Sequence, residues 1–132
     1  MERIIVKFKA ICENHLYSKA YSKGKRALTS ALALYVLPDY QAKRLAKAHP
    51  DGIIMNRIGL TVSTKLGGAV VRSRVRRILR EGLRMLEREK ELKRGFLIVI
   101  CARGAAVKLK STDIKRQLDT AFEKLGMYKV TA

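Results

Sequence analysis

The sequence predicts an α+β fold: one mixed sheet packed with helices, in the order α-β-β-(β)-α-β-α, the bracketed strand being a short piece near Lys25. Three observations predict it. Residues 31–37 (ALALYVL) and 56–65 (NRIGLTVSTK) alternate with the two-residue period of half-buried strands. Residues 96–102 (FLIVICA) form a continuous apolar run, as in a strand buried on both faces. Residues 66–86 and the stretch after Ser111 carry apolar side chains at helical spacing. With 132 residues, 48% of them hydrophobic, the chain reads as a single domain, 1–132, with a real core.

Each element has a local cause. Residues 1–12 are short and mixed and yield no assignment. Asn14 has the chemistry of a helix cap, and a helix from it reaches Lys23 before Gly24 stops it. Tyr17 and Tyr21 share one face of that helix, as packing residues or as ligand contacts. In the strand that Pro38 and Asp39 end, Leu32, Leu34 and Val36 are large and should face the core. Ala31, Ala33, Tyr35 and Leu37 describe a sheet face that is open or holds a ligand. Residues 40–55 form a long connection with room for a helical turn around Leu45, Ala46 and Ala48. In the next strand Ile58, Leu60 and Val62 make one face, and Gly59, Thr61, Ser63 and Lys65 the other. Gly67 and Gly68 then turn the chain, either as plain turn residues or as a phosphate-cradling turn.

The helix that follows dominates the chain. Val71, Val75, Ile78, Leu79, Gly82, Leu83 and Leu86 share one face when it is wound at about 100° per residue. Arg72, Arg76, Arg77, Arg80 and Arg84 fall on the opposite arc, and Arg74 sits at the border. Glu81 is the only acid before Glu87, whereas an ordinary solvated face mixes both signs. The helix is expected to continue to a stop at Gly95, its last turns an ordinary wet surface. Gly82, on the apolar arc, implies close helix–sheet packing, since glycine costs about 1 kcal/mol there against alanine. The last helix takes Ser111 or Thr112 as its cap, with Asp113 in the first turn. Ile114, Leu118, Ala121, Phe122 and Leu125 form its buried stripe, and Gly126 ends it. There is no internal repeat and no linker.

Charge sets the class of partner. The net charge is +18, with basic residues throughout the chain, which points to a polyanion, nucleic acid first. No run of about 18 apolar residues exists to span a bilayer. The apolar face of the arginine helix is needed by the strands, which argues against a membrane surface. The N-terminal residues are too broken by charge for a signal peptide, so a cytoplasmic location is expected, with Cys12 and Cys101 reduced and buried. His15 and His49 have no metal-ligand companions, and the acids show no paired spacing for acid–base chemistry. Arginine's planar fork pairs phosphates and stacks on bases. About five phosphate contacts on a single strand give a log–log salt slope near −3.5. Tyr17, Tyr21 and Tyr35 would line one groove if the first helix packs beside the small-residue sheet face. A stacking platform beside a cationic rail suits single-stranded RNA better than duplex DNA. A ribosomal-type protein that binds structured RNA, a DNA-binding module and an independent nuclease are the competing readings.

The stretch RIGLTVSTKLGGAVVRSRVRRILRE, residues 57–81, resembles the signature of the protein subunit of bacterial ribonuclease P. In that family a strand ending near Ser-Lys-Lys leads to Gly-Asn-Ala-Val, Arg-Asn-Arg and a basic helix. NHLYSKAYSKGK, LALYVLP, ICARGAA and KSTDIKRQLDTAF look like other family segments, so the resemblance covers residues 11–125. It implies a left-handed β-α-β crossover, against the usual right-handed preference. It also implies a non-catalytic subunit of an endoribonuclease that removes the 5′ leader of precursor tRNA. The RNA subunit does the chemistry with Mg2+, one protein joining each RNA. Carried over, the RNA-subunit contacts are Lys65, Arg72, Ser73, Arg74, Arg76, Arg77 and Arg80. The leader cleft is Tyr17, Tyr21, Ala33, Tyr35 and Ser63. Two positions depart from the pattern: Ser73 and Gly68 stand where the family has asparagine. Serine keeps one donor and one acceptor but loses the amide's reach.

Overall fold

A computed structural model describes residues 8–11, 14–48, 52 and 54–129. Among these residues five strands form one sheet in the order β1-β4-β5-β3-β2. They are β1 (Phe8–Ala10), β2 (Lys25–Leu28), β3 (Leu32–Pro38), β4 (Asn56–Thr61) and β5 (Phe96–Ala102). β1, β4 and β5 run parallel; β3 is antiparallel to β5, and β2 to β3. The helices are α1 (Asn14–Lys23), α2 (Ala42–Ala48), α3 (Ala69–Glu89) and α4 (Ser111–Lys124). The α+β class, the mixed sheet and the short strand at Lys25 agree with the sequence pattern. β1 and α2 are additions to the expected order.

The strand periodicity explains the layers. Leu32, Leu34 and Val36 of β3 and Ile98 and Ile100 of β5 pack with the apolar arcs of α3 and α4. On the opposite face Leu37, Leu97 and Val99 pack with Leu16 and Ala20 of α1. β5 is therefore buried on both faces, as its unbroken apolar run requires. The second face of β3 is not open: α1 covers it, and Ala33 and Leu37 are only 8% and 6% exposed.

Several boundaries differ from the pattern, each for a local reason. β4 stops at Thr61, because the Ser63 hydroxyl accepts the Lys65 N–H and starts a 3₁₀ turn, Thr64–Leu66. Gly67 follows at φ 148°, and α3 begins only at Ala69. α3 ends at Glu89 and does not reach Gly95. Lys90 leaves in an extended conformation, and Leu92 is drawn to 2% exposure beside an isolated bridge to Tyr128. Gly82 meets α4 and not the sheet: a methyl group there would lie 2.7 Å from Ile114 Cγ2. α4 begins at Ser111, so neither Ser111 nor Thr112 is its cap; the Asp113 carboxylate instead accepts the Lys110 N–H at 3.0 Å. Within the long connection, Ala42 and Ala46 are one turn apart and buried, which fixes α2. Its two flanks are tied by Arg57, which donates to both carboxylate oxygens of Asp39 at 2.7 and 2.9 Å in a buried pair. Cys12 and His49 lie outside the described residues, and Cys101 is half-buried.

Candidate nucleic-acid interface

The candidate site begins where β4 hands the chain to α3. The 3₁₀ turn and Gly67 leave Ser63, Lys65, Gly68 and Val70 exposed around the helix start. Arg72 folds back, its Nε donating to the Gly67 carbonyl at 3.3 Å. Arg74, at the border of the cationic arc, donates from both terminal nitrogens to the carbonyls of Val107 and Leu109, at 2.9 and 3.0 Å. It therefore braces the loop before α4 and keeps only its remaining N–H groups for a ligand. Ser73, Arg77 and Arg80 are exposed, and Arg76 is half-buried. Arg76 and Arg80, one turn apart, share a cavity of about 210 Å³ with Tyr17, Gly59, Leu60 and Leu83.

The cleft is built by α1 lying across the sheet. Its buried Leu16 and Ala20 hold it to Leu37, Leu97 and Val99, so Tyr17 and Tyr21 flank the buried stripe. The Tyr17 ring lies over Gly59, where any β-carbon would come within 2.5 Å of it. The Tyr21 ring meets Tyr35 edge-to-face, with centroids 5.0 Å apart and planes at 79°. The Tyr21 hydroxyl is 3.6 Å from Cys101 Sγ. Partial burial, then that cysteine, push the hydroxyl up to about 12. It stays a neutral donor at physiological pH.

The three tyrosines are thus gathered as expected. Ala33 lies beneath them as buried floor and offers little surface to a ligand. Sequence reasoning missed Cys101 as part of this cleft. The register Ala33↔Cys101 puts it there, but that register is a property of strand pairing and is not written in either segment.

Among the described residues no group of three His, Cys, Asp or Glu side chains could hold a metal ion. The acids serve elsewhere: Asp39 pairs with Arg57, Asp113 holds the start of α4, and Asp119 takes bonds from Lys90 and Tyr128. No described helix is long and apolar enough to cross a membrane.

The fold and this surface define a class: a small basic α+β protein whose chemistry is a cationic helix beside an aromatic-walled cleft. The chain belongs to the ribonuclease P protein family, whose model, described as Ribonuclease P, matches residues 6–126. The ribonuclease P protein component of Thermoanaerobacter sp. (strain X514) is 34% identical over 128 residues, covering 97% of this chain and 96% of that one. The ribonuclease P protein component of Clostridium acetobutylicum is 36% identical over 117 residues, covering 89% and 88%. Solved structures share the fold. The Staphylococcus aureus RNase P protein superposes with a TM-score of 0.72 at 22% identity, over 93% of this chain and all of that one. The Thermotoga maritima protein gives 0.58 at 17% identity, over 79% and 86%.

Proposed function

We propose that this chain is the protein subunit of a cytoplasmic ribonuclease P holoenzyme, the endonuclease that removes the 5′ leader from precursor tRNA. One copy joins one RNA subunit. Lys65, Arg72, Ser73, Arg76, Arg77 and Arg80 face that RNA, with Arg74 adding its uncommitted N–H groups. Tyr17, Tyr21 and Tyr35 take the leader as a single strand, with Ser63 at the rim and Ala33 as floor. The observation that carries the reading is that Arg76 and Arg80 share a cavity with Tyr17. Phosphate-pairing forks and a base-stacking ring so form one continuous surface, the combination that single-stranded RNA prefers.

The protein's part is binding and positioning. Its cations screen the phosphates that the leader and the catalytic RNA bring together, and its tyrosines fix the strand's path. Mg2+ is held mainly by the RNA subunit, whose phosphate oxygens are the hard ligands this cation takes. The test is Arg76→Gln with Arg80→Gln, both on the cationic arc of α3 and lining the shared cavity. Affinity for the RNA subunit is expected to fall. The log–log salt slope should flatten by about 0.7–0.9 for each phosphate contact removed. Unchanged affinity and slope would remove these arginines from the interface.

A further inference from the structure

A second cavity, of about 360 Å³, opens at the other end of the sheet from the arginine turn, between the start of β2, the end of β3 and the chain after α4. Its size is at the lower end of small-ligand sites, roughly 300–1,000 Å³. Phe96 and the buried Met127 give it an apolar floor, Tyr40 a wall, and Lys23, Lys25 and Lys93 a cationic rim. Among the described residues no carboxylate lines it. Among the described residues none of these three lysines has an ion-pair partner.

The lysines do more than neutralise helix ends. α1 and α4 both finish here, at Lys23 and Lys124, and each C-terminus carries roughly −0.5 charge. About −1 in total stands against three ammonium groups, so the site remains positive. A fourth ammonium, on Lys19, sits 5.1 Å from the centroid of the Tyr40 ring, which is 79% exposed. An aromatic ring standing in solvent beside unpaired cations, over an apolar floor, matches a ligand with a flat ring and an anionic group.

The place of this pocket separates it from the tyrosine cleft. Lys19 is two residues from both Tyr17 and Tyr21, about 200° round the helix. α1 therefore presents tyrosines on one flank and Lys19 and Lys23 on the other, and lies between the two sites. We propose that this pocket is a second single-strand RNA site, taking one base against Tyr40 and Phe96 while the lysines pair its flanking phosphates.

The stoichiometry of a short RNA tests this. The full chain is titrated with a tetranucleotide of mixed sequence by calorimetry and native mass spectrometry, in parallel with uridine monophosphate. Two tetranucleotides per chain are expected. Lys25→Ala with Lys93→Ala, two exposed positions, should leave one and weaken the lost step tenfold or more. Tyr40→Ala should act on the same step. Tyr17→Ala with Tyr35→Ala should instead leave the pocket occupied. A single equivalent that the lysine variant does not change overturns the proposal and spares the cleft. A single equivalent that the lysine variant abolishes supports the pocket and refutes the cleft. Displacement of the pocket-bound RNA by uridine monophosphate at comparable concentration would make a free nucleotide the ligand and overturn the strand assignment.

Discussion

Gly59→Ala tests whether the Tyr17 ring is a ligand platform. Gly59 is buried in β4, beneath the ring. A methyl group there would lie 2.5 Å from Cε1 and Oη of Tyr17 and 2.6 Å from Cζ. Favourable contacts are about 3.5–4.0 Å, so the ring must withdraw by about 1 Å. It has room, because it adjoins the cavity of about 210 Å³ that Arg76 and Arg80 line. A displacement of this kind costs roughly 0.5–1.5 kcal/mol of rotamer strain. Alanine recovers roughly 0.5–1 kcal/mol by restricting the unfolded chain. Stability should then change by less than about 1 kcal/mol. Binding depends on the ring's position. Stacking contributes about 1–3 kcal/mol per base. Losing about 1–1.5 kcal/mol of it weakens the complex about 5- to 12-fold. The assay is the equilibrium affinity of the reconstituted holoenzyme for precursor tRNA with and without its leader, alongside urea unfolding of the protein alone. Loss confined to leader-bearing substrate is expected. Equal loss for leaderless tRNA, or a large fall in stability with unchanged binding, would make Tyr17 a packing residue and refute the reasoning.

Three further substitutions test the scaffold. Gly82→Ala gains roughly 1 kcal/mol of helix propensity but drives a methyl against Ile114 and the Ser111 carbonyl, at 2.7 and 3.0 Å. Overpacking costs about 1–3 kcal/mol, so thermal unfolding should move down by about 4 °C, and a rise would refute the close α3–α4 contact. Asp39→Ala removes the carboxylate that accepts two hydrogen bonds from Arg57 in a buried pair, and should cost about 3 kcal/mol in urea unfolding; a loss under about 1 kcal/mol would show the pair to be dispensable. Burial raises the Glu87 carboxyl to about 7 against the opposing pull of Arg94, and its Oε1 has no partner among the described residues. The folded state therefore holds a proton that the unfolded state releases, and stability falls as pH rises from about 4.5 to about 7. Glu87→Gln should be near neutral at pH ~4 and stabilising by about 3 kcal/mol at pH ~8, since a rise of this size at about 1.4 kcal/mol per unit is then fully felt. A difference that is the same at both pH values would contradict the assignment.

What the sequence reveals follows from how local its causes are. β3, β5 and the apolar arcs of α3 and α4 depend on periodicity alone, and they stand where the pattern puts them. β1 is three residues long and is a strand only because Phe8–Ala10 pairs with β4, a tertiary fact. Helix ends go astray where a distant group decides them, as Leu92 does by entering the core beside Tyr128. The same limit applies to the site. The arginine series and the i, i+4 tyrosines are legible as patterns. The diversion of Arg74 depends on carbonyls more than thirty positions later, at Val107 and Leu109. The covering of Ala33 depends on where α1 docks. The sequence also left the role of Gly82 open to the wrong partner, because a glycine on an apolar arc signals closeness without saying to what.

The measurement that bears most directly on the proposed function is reconstitution. The protein is mixed with its cognate ribonuclease P RNA at low magnesium, and 5′ cleavage of a precursor tRNA is followed. The protein is expected to stimulate cleavage, more for substrates with a leader long enough to fill the tyrosine cleft, and to cleave nothing alone. Tight binding to the RNA without any stimulation would contradict that expectation, and would make this a structured-RNA-binding protein with no part in leader removal.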